Sequence, residues 1–304
     1  MKVSVCMITY NHERFVAQAI ESALRQQTDF DYELVIGEDN SSDRTRQIVE
    51  AYQRRHPDKI RLLLSERNIG MAPNFIRSLQ ACRGQYIALL EGDDYWTAPE
   101  KLQKQVDLLD RHPECAICFH RTRWVIEGRA DQGWHYPNWN YPTLSTIRDL
   151  LQRNPMNTCS VVFKSGAEKC LPDWFAGVGV ADYPLHILNA LRGGIYYLDE
   201  VLADYRVHEG GVWSTKSRSN NSSRMVAVLE RIRPLLAGKD LAIIDSQINT
   251  AKLWLSLYAG DTRKARLYAF KQLVTASTVR SKLKSLAVLG SPKMYRSLRM
   301  RGEE

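Results

Sequence analysis

Five short apolar runs separated by four helical patterns fill the first 120 residues, and this alternation constrains the fold more than any other feature. Residues 3–8, 32–37, 60–65, 85–91 and 115–120 read as strands. Residues 14–27 read as a helix because Phe15, Ala19, Ile20, Ala23 and Leu24 recur on one face. A second helix starts with Ser42 or Asp43 as its cap and stops near His56, before Pro57. A third spans 73–82 and is ended by Gly84, and a fourth spans 99–111 before Pro113. Strands and helices joined by short links imply an α/β fold with a largely parallel sheet covered on both faces. Ligands of such sheets bind beyond the carboxyl ends of the strands.

The pattern is less regular afterwards. Residues 134–142 read as a loop rich in Trp134, Tyr136, Trp139 and Tyr141, whose rings could stack on a ligand or cover the core. A strand is expected at 158–164, a helix at 182–191 and two short strands within 195–207. A polar break at 217–223 precedes a helical remainder interrupted near Gly260 and Gly290. The expected organisation is a domain over 1–215, with halves 1–112 and 113–215, and a helical region over 222–304.

Charge separates these two parts. The net charge of +8 is concentrated between Thr262 and Arg301, where eleven basic residues and no acidic one occur. The rest of the chain holds 31 basic and 34 acidic residues. Leucines, valines and Phe270 are interleaved with the basic side chains, a pattern suited to an anionic membrane surface or to a solvated helix packed on the main domain. No nucleic-acid module accompanies it, so nucleic acid is not an expected partner. No window of about 18 residues is continuously apolar, so a spanning helix is not expected. Six cysteines in apolar contexts suggest reduced, buried thiols and a cytoplasmic setting. Cys115-x-x-Cys118 lacks a second pair at zinc spacing and lies in an apolar run, so it is expected to be structural.

The chemistry gathers where the strands end. The first ends in Thr9-Tyr10-Asn11, the second runs into Glu38-Asp39-Asn40, and the fourth into Glu91-Gly92-Asp93-Asp94. Carboxylates crowded beyond strand ends repel one another unless a cation compensates them. Hard oxygen ligands suit Mg²⁺ or Mn²⁺, which commonly bridge substrate phosphates. Neither G-x-G-x-x-G nor G-x-x-x-x-G-K-[ST] is present, which argues against a dinucleotide dehydrogenase and a P-loop NTPase.

The stretches SVCMITYNHERFVAQAIESALRQQ, YELVIGEDNSSDRT and SERNIGMAPNFIRSLQACRGQYIALLEGDDYWTAPEKL resemble the family-2 inverting glycosyltransferases of GT-A fold, in motif order and spacing. The resemblance covers about residues 2–212. It implies that Thr9, Tyr10 and Asn11 line the nucleotide pocket, with Tyr10 near the base. Asp39 would accept a hydrogen bond from the base, and Asn68 and Gly70 would form the N-x-G turn beside it. Asp93 would contact the ribose. Asp94 and His208 would bind the divalent metal, Mn²⁺ or Mg²⁺. Asp182, entering a helix, would be the catalytic base. Glu38 and Glu91 stand where the family commonly has Asp, and His208-x₅-Ser214 departs from its usual H-x-x-x-S.

The implied activity is transfer of a sugar from a nucleotide-sugar donor, a UDP-sugar in the first instance, to a hydroxyl of a glycan or lipid-linked glycan. The implied location is the cytoplasm, peripheral on the inner face of the cytoplasmic membrane. Two alternatives stand beside it. A nucleotidyltransferase shares the α/β fold and metal carboxylates, but usually carries a Gly-rich basic first loop where this chain has Thr-Tyr-Asn-His-Glu. A sugar-nucleotide-binding module with a degenerate site would not need Asp39, Asp93, Asp94 and Asp182 together.

Overall fold

The computed structural model describes residues 1–127, 141–211, 218–275 and 279–295. The first strands and helices fall where the periodicity puts them. They are β1 (Val3–Thr9), α1 (Val16–Leu24), β2 (Tyr32–Glu38), α2 (Thr45–Arg55), β3 (Ile60–Leu64), α3 (Met71–Ala81) and β4 (Tyr86–Glu91). Then come β5 (Tyr95–Trp96), α4 (Lys101–Arg111), β6 (Cys115–Ile126), β7 (Leu144–Ser145), α5 (Ile147–Gln152), β8 (Val162–Lys164), α6 (Asp182–Ala190) and β9 (Gly194–Val207).

These strands form one sheet in the order β3-β2-β1-β4-β8-β6-β9-β5, with β7 beside β9. Its first four strands are parallel, and β8 then enters antiparallel between β4 and β6. Strand alternation sends Val3, Val5 and Met7 to one face. There they join Val16, Ala19 and Ile20 of α1 and Leu102, Val106 and Leu109 of α4 in one buried cluster. The opposite face of β1 and β2 packs under α3. Each fully buried side chain of this kind contributes about 1.5–3 kcal/mol over its exposed state.

Several elements differ from the sequence reading. Helix α3 begins at Met71, because Pro73 fits within a first helical turn. The cap position of α2 is Arg44, but Asp43 Oδ1 still accepts from the Thr45 N–H at 2.9 Å. Residues 158–164 are not one strand. Thr158–Ser160 form a 3₁₀ turn, closed by Ser160 Oγ donating to the Asn157 carbonyl, and only Val162–Lys164 pair. Residues 195–207 are one strand rather than two. Its pairing with β6 jumps from His120↔Leu198 to Arg121↔Val201, so Asp199 and Glu200 bulge out and interrupt the apolar pattern. Five cysteines are buried and all six are free, but Cys170 is exposed. Trp134, Tyr136, Trp139 and Ser214 lie outside the described residues. Tyr141 packs edge-on against Phe119 and Tyr197, a core contact.

Packing divides the chain into two compact units, one of Met1–Gly177 with Ala181–Glu209 and one of Val178–Val180 with Gly210–Glu304. The second unit contains α7 (Arg218–Ile232), α8 (Gly238–Tyr258), α9 (Thr262–Thr275) and α10 (Val279–Gly290), each packed on the next in sequence. Leu253, Leu257, Ala265, Ala269 and Val288 form its core. Gly260 ends α8 at φ +74°, and Asp261 Oδ1 accepts from the Lys264 N–H to start α9. No helix among the described residues is long and apolar enough to cross a membrane.

Candidate active site

Because β1, β2 and β4 run parallel, their carboxyl ends share one edge of the sheet. Thr9 is in register with Glu38, and Ile8 with Glu91. The ladder continues one residue further, with the Asp39 N–H donating to the Thr9 carbonyl and the Gly92 N–H to that of Ile8. Gly92 has no room for a side chain. A Cβ there would sit 2.6 Å from Thr9 Oγ1 and 3.0 Å from His12 Nδ1. The acidic turn after β4 is thereby pressed against the end of β1.

On one side of this edge the backbone is shaped by buried carboxylates. Asp39 accepts from the Ile69 N–H through Oδ1 and from the Gly70 N–H through Oδ2, both at 2.9 Å. This brings Asn68-Ile69-Gly70 onto the end of β2, and Gly70 takes the left-handed φ of +91° that the turn requires. Asp39 is thus committed first to this loop, and a base N–H would have to use its remaining lone pairs. Glu38, fully buried, accepts from the Asn40 and Ser41 N–H groups and pairs with Arg46 at 2.7 Å. Asn11 accepts from the Ser42 N–H at 2.9 Å, which closes the β1 end onto the same loop. Thr9 is buried with its hydroxyl unpartnered, whereas Tyr10 and Asn68 are exposed.

The acidic turn is held from β9. The Arg206 N–H donates to Asp94 Oδ1 at 2.8 Å, and its guanidinium donates to the Asp93 carbonyl and to Gln18 Oε1. That guanidinium lies between the rings of Phe15 and Tyr95, 4.5 and 4.9 Å from their centroids. His208 Nε2 is 3.0 Å and His12 Nε2 3.7 Å from Asp93 Oδ2. Burial works to raise the Asp93 pKa, but the two imidazoles outweigh it and hold the carboxyl below its usual range. Asp94 and Glu91 go the other way. Burial and then the neighbouring Asp93 charge push Asp94 well up, and Glu91 rises for the same reasons with Asp94 and Asp182 adding to them.

Among the described residues there are two groups of candidate ligands, Glu91 with Asp93 and Asp94, and His12 with Asp93 and His208. In each, the donor atoms lie within 4.8 Å of one another. Asp94 Oδ2 is buried without a hydrogen-bond partner, a vacancy in the bonding that a hard cation would fill. The donor set therefore fits Mg²⁺ or Mn²⁺. Asp94 and His208 are brought to the same turn, but His208 pairs with Asp93, which stands between the two groups.

Asp182 opens α6 and faces Thr158, whose hydroxyl is 3.5 Å from Asp182 Oδ2. The Asp182 charge adds to the upward push on the Glu91 pKa, after burial, Asp93 and Asp94. The floor beneath is fixed by Trp96, whose indole N–H donates to the Cys159 carbonyl at 2.9 Å, and by Gln105, which donates to the Cys118 and Ser160 carbonyls. The sequence reading assigned nothing to His12 or Arg206. Their signals were position alone: His12 lies three residues beyond the end of β1, and Arg206 is the penultimate residue of β9, two before His208.

The fold is that of the GT-A glycosyltransferases. The profile of "Glycosyl transferase family 2" matches residues 4–171. A Mycobacterium tuberculosis protein, Rv1520, is 38% identical over 247 residues, covering 78% of this chain and 69% of its own. The chain belongs to glycosyl transferase family 2. A Nostoc glycosyltransferase, alr2836, is 30% identical over 227 residues, 68% of this chain and 65% of its own. Among solved structures, Staphylococcus aureus TarS 1–349 in complex with UDP-GlcNAc superposes with a TM-score of 0.65 at 19% identity, covering 97% of this chain and 92% of that one. The mannosyltransferase PcManGT of Pyrobaculum calidifontis, in complex with GDP-Man and Mn²⁺, gives 0.59 at 17% identity over 98% and 86% of the two chains. The family match sets the nucleotidyltransferase alternative aside.

Proposed function

We propose that the chain is a cytoplasmic inverting transferase that moves a sugar from a UDP-sugar to a hydroxyl of a glycan or lipid-linked glycan. The observation that supports this reading is the acidic cluster Glu91, Asp93 and Asp94 at the carboxyl edge of the sheet, with Asp39 at the end of the strand beside β1 and Asp182 facing Thr158. The UDP-GlcNAc bound by TarS and the Mn²⁺ bound by PcManGT support a nucleotide-sugar donor and a metal.

In the proposed reaction the acceptor oxygen attacks the anomeric carbon from the face opposite the diphosphate. A carbon–oxygen bond forms there as the bond to the β-phosphate oxygen breaks, and the diphosphate leaves with the electron pair. Asp182 takes the acceptor proton, a contribution of roughly 10²–10⁴-fold. The sugar departs inverted without a covalent enzyme intermediate, so one carboxylate suffices. Asp93, Asp94 and His208 would hold the metal, and a divalent cation there supplies charge stabilisation for the leaving diphosphate. Asp39 and the Asn68–Gly70 turn would seat the nucleotide, with Thr9, Tyr10 and Asn11 around it.

A thermal-shift panel of UDP, GDP, dTDP and CMP, with and without Mn²⁺, tests the reading. A ligand at 100 times its Kd adds about 2.7 kcal/mol of stability. A Mn²⁺-dependent shift with UDP, lost in Asp94→Ala, is expected. No shift with any nucleotide would overturn the donor assignment, and a shift with GDP alone would replace the donor class.

A further inference from the structure

Helices α9 and α10 bury one face each and leave an apolar stripe on the other. The buried positions of α9 are Ala265, Ala269 and Gln272. At 100° per residue, Leu267, Phe270 and Val274 fall on the opposite side. They are 49%, 58% and 70% exposed. Arg266 lies on one flank of this stripe, and Lys264 and Lys271 on the other. Helix α10 repeats the arrangement. Ser285 and Val288 are buried, Leu283 and Leu286 are 60% and 51% exposed, and Lys282 and Lys284 flank them.

A helix that packs by one face ordinarily carries polar residues at the centre of the other. Here the centre is apolar beyond the first turn of α9, where Arg263 lies in line with the stripe, and the flanks are basic. Asp261 pairs with Lys264 at 3.5 Å, but no acidic residue follows until after Arg301. We infer that the outward faces of α9 and α10 are an interfacial surface that docks on an anionic lipid bilayer. Leu267, Phe270, Val274, Leu283 and Leu286 enter the boundary between headgroups and acyl chains, while the lysine and arginine side chains reach back to lipid phosphates. Charge complementarity selects this occupant. A second copy of the same face would set bases against bases. A nucleic acid would want cations at the centre, and would leave Phe270 and Val274 in water.

The inference goes beyond the transferase reading, and its test needs neither donor nor acceptor. The full chain is floated with vesicles of phosphatidylcholine alone, or containing phosphatidylglycerol, at low and high salt. Binding to the phosphatidylglycerol vesicles, released by salt, is expected. The variant Leu267→Ser/Phe270→Ser/Val274→Ser should lose it at least tenfold with an unchanged melting temperature. The variant Arg266→Glu/Lys271→Glu, which leaves the stripe intact, should lose about fivefold or more per residue. Absence of flotation, or flotation of either variant equal to that of the parent, overturns the inference. So does a dimer that dissociates in the serine variant while vesicles stay unbound, or binding of duplex DNA that the serine variant retains.

Discussion

His208 Nε2 lies 3.0 Å from Asp93 Oδ2, which ties the end of β9 to the acidic turn after β4 across 115 residues of chain. His12 Nε2 approaches the same oxygen at 3.7 Å, so two imidazoles face one carboxylate oxygen of Asp93. If this turn holds the metal, His208 positions or supplies one of its ligands. His208→Ala should weaken Mn²⁺ binding by about 10–100-fold, the range seen when a partner of a ligating group is lost. Isothermal titration of Mn²⁺ in the presence of UDP checks this, and an unchanged affinity would remove His208 from the site.

Gly92 offers a test that adds nothing polar. A methyl group there meets Thr9 Oγ1 at 2.6 Å, Thr9 Cβ at 2.8 Å and His12 Nδ1 at 3.0 Å. Two of these contacts are with a β1 residue buried in the sheet, so relief must come from the acidic turn itself. Gly92→Ala should cost roughly 1–3 kcal/mol of stability, the usual range for overpacking. Its turnover should fall further than stability accounts for, because Asp93 and Asp94 move with the backbone. Urea unfolding and initial rates on the same preparation separate the two effects.

Asp39 tests the nucleotide side. Both its oxygens accept backbone N–H groups, so Asp39→Asn turns an amide NH₂ toward either the Ile69 or the Gly70 donor. Leaving one buried donor unsatisfied costs about 1–3 kcal/mol. The expected signature is a lower melting temperature together with a raised KM for the donor and a smaller change in kcat.

The sequence made the sheet edge legible for a physical reason. Parallel strands buried on both faces are mostly apolar along their length, so the polar residues at their carboxyl ends mark the site: Thr9, Glu38 and Glu91 all fall there, while Ser4 and Glu33 pair with each other at the opposite end. What it concealed were contacts between edge and edge. Nothing local in YRVH tells that Arg206 sits between Phe15 and Tyr95 and holds the Asp93 carbonyl and the Asp94 carboxylate. The role of Asp39 in fixing the Ile69–Gly70 turn was equally hidden, because thirty residues or more separate the partners. Strand β9 was misread where Asp199 and Glu200 bulge, since an exposed acidic pair looks like a turn.

Acid stability should report on the far end of the sheet. Glu33 accepts from Ser4 Oγ at 2.7 Å and from Arg83 through both its backbone N–H and its guanidinium. Burial works to raise its pKa, but Arg83 and Ser4 outweigh it and hold the carboxyl below its usual range. A carboxyl lowered by folding contributes stability that is full above its unfolded value, about 4.3, and is lost as pH falls through the folded value. Glu33→Gln should therefore be less stable than the parent at neutral pH, and the gap should narrow below about pH 4. Thermal melts of the two proteins across this range check it, and the difference between the curves isolates Glu33 from the other carboxylates. A gap that widened with acid would contradict the assigned direction.

Asp182→Asn separates chemistry from binding. The amide keeps an oxygen that can accept from the Thr158 hydroxyl, so the start of α6 should hold its place. It cannot take a proton from an acceptor hydroxyl. Turnover should therefore fall by about 10²–10⁴-fold, the range for loss of a positioned general base, while the Mn²⁺-dependent shift with UDP is unchanged. Residual product from the variant and product from the parent should carry the same inverted anomeric configuration by proton NMR, since the direction of attack is set by the geometry of the crevice and not by the base. Near-normal turnover would remove Asp182 as the base. A retained configuration in the parent's product would rule out single displacement and require a nucleophile on the opposite face of the sugar.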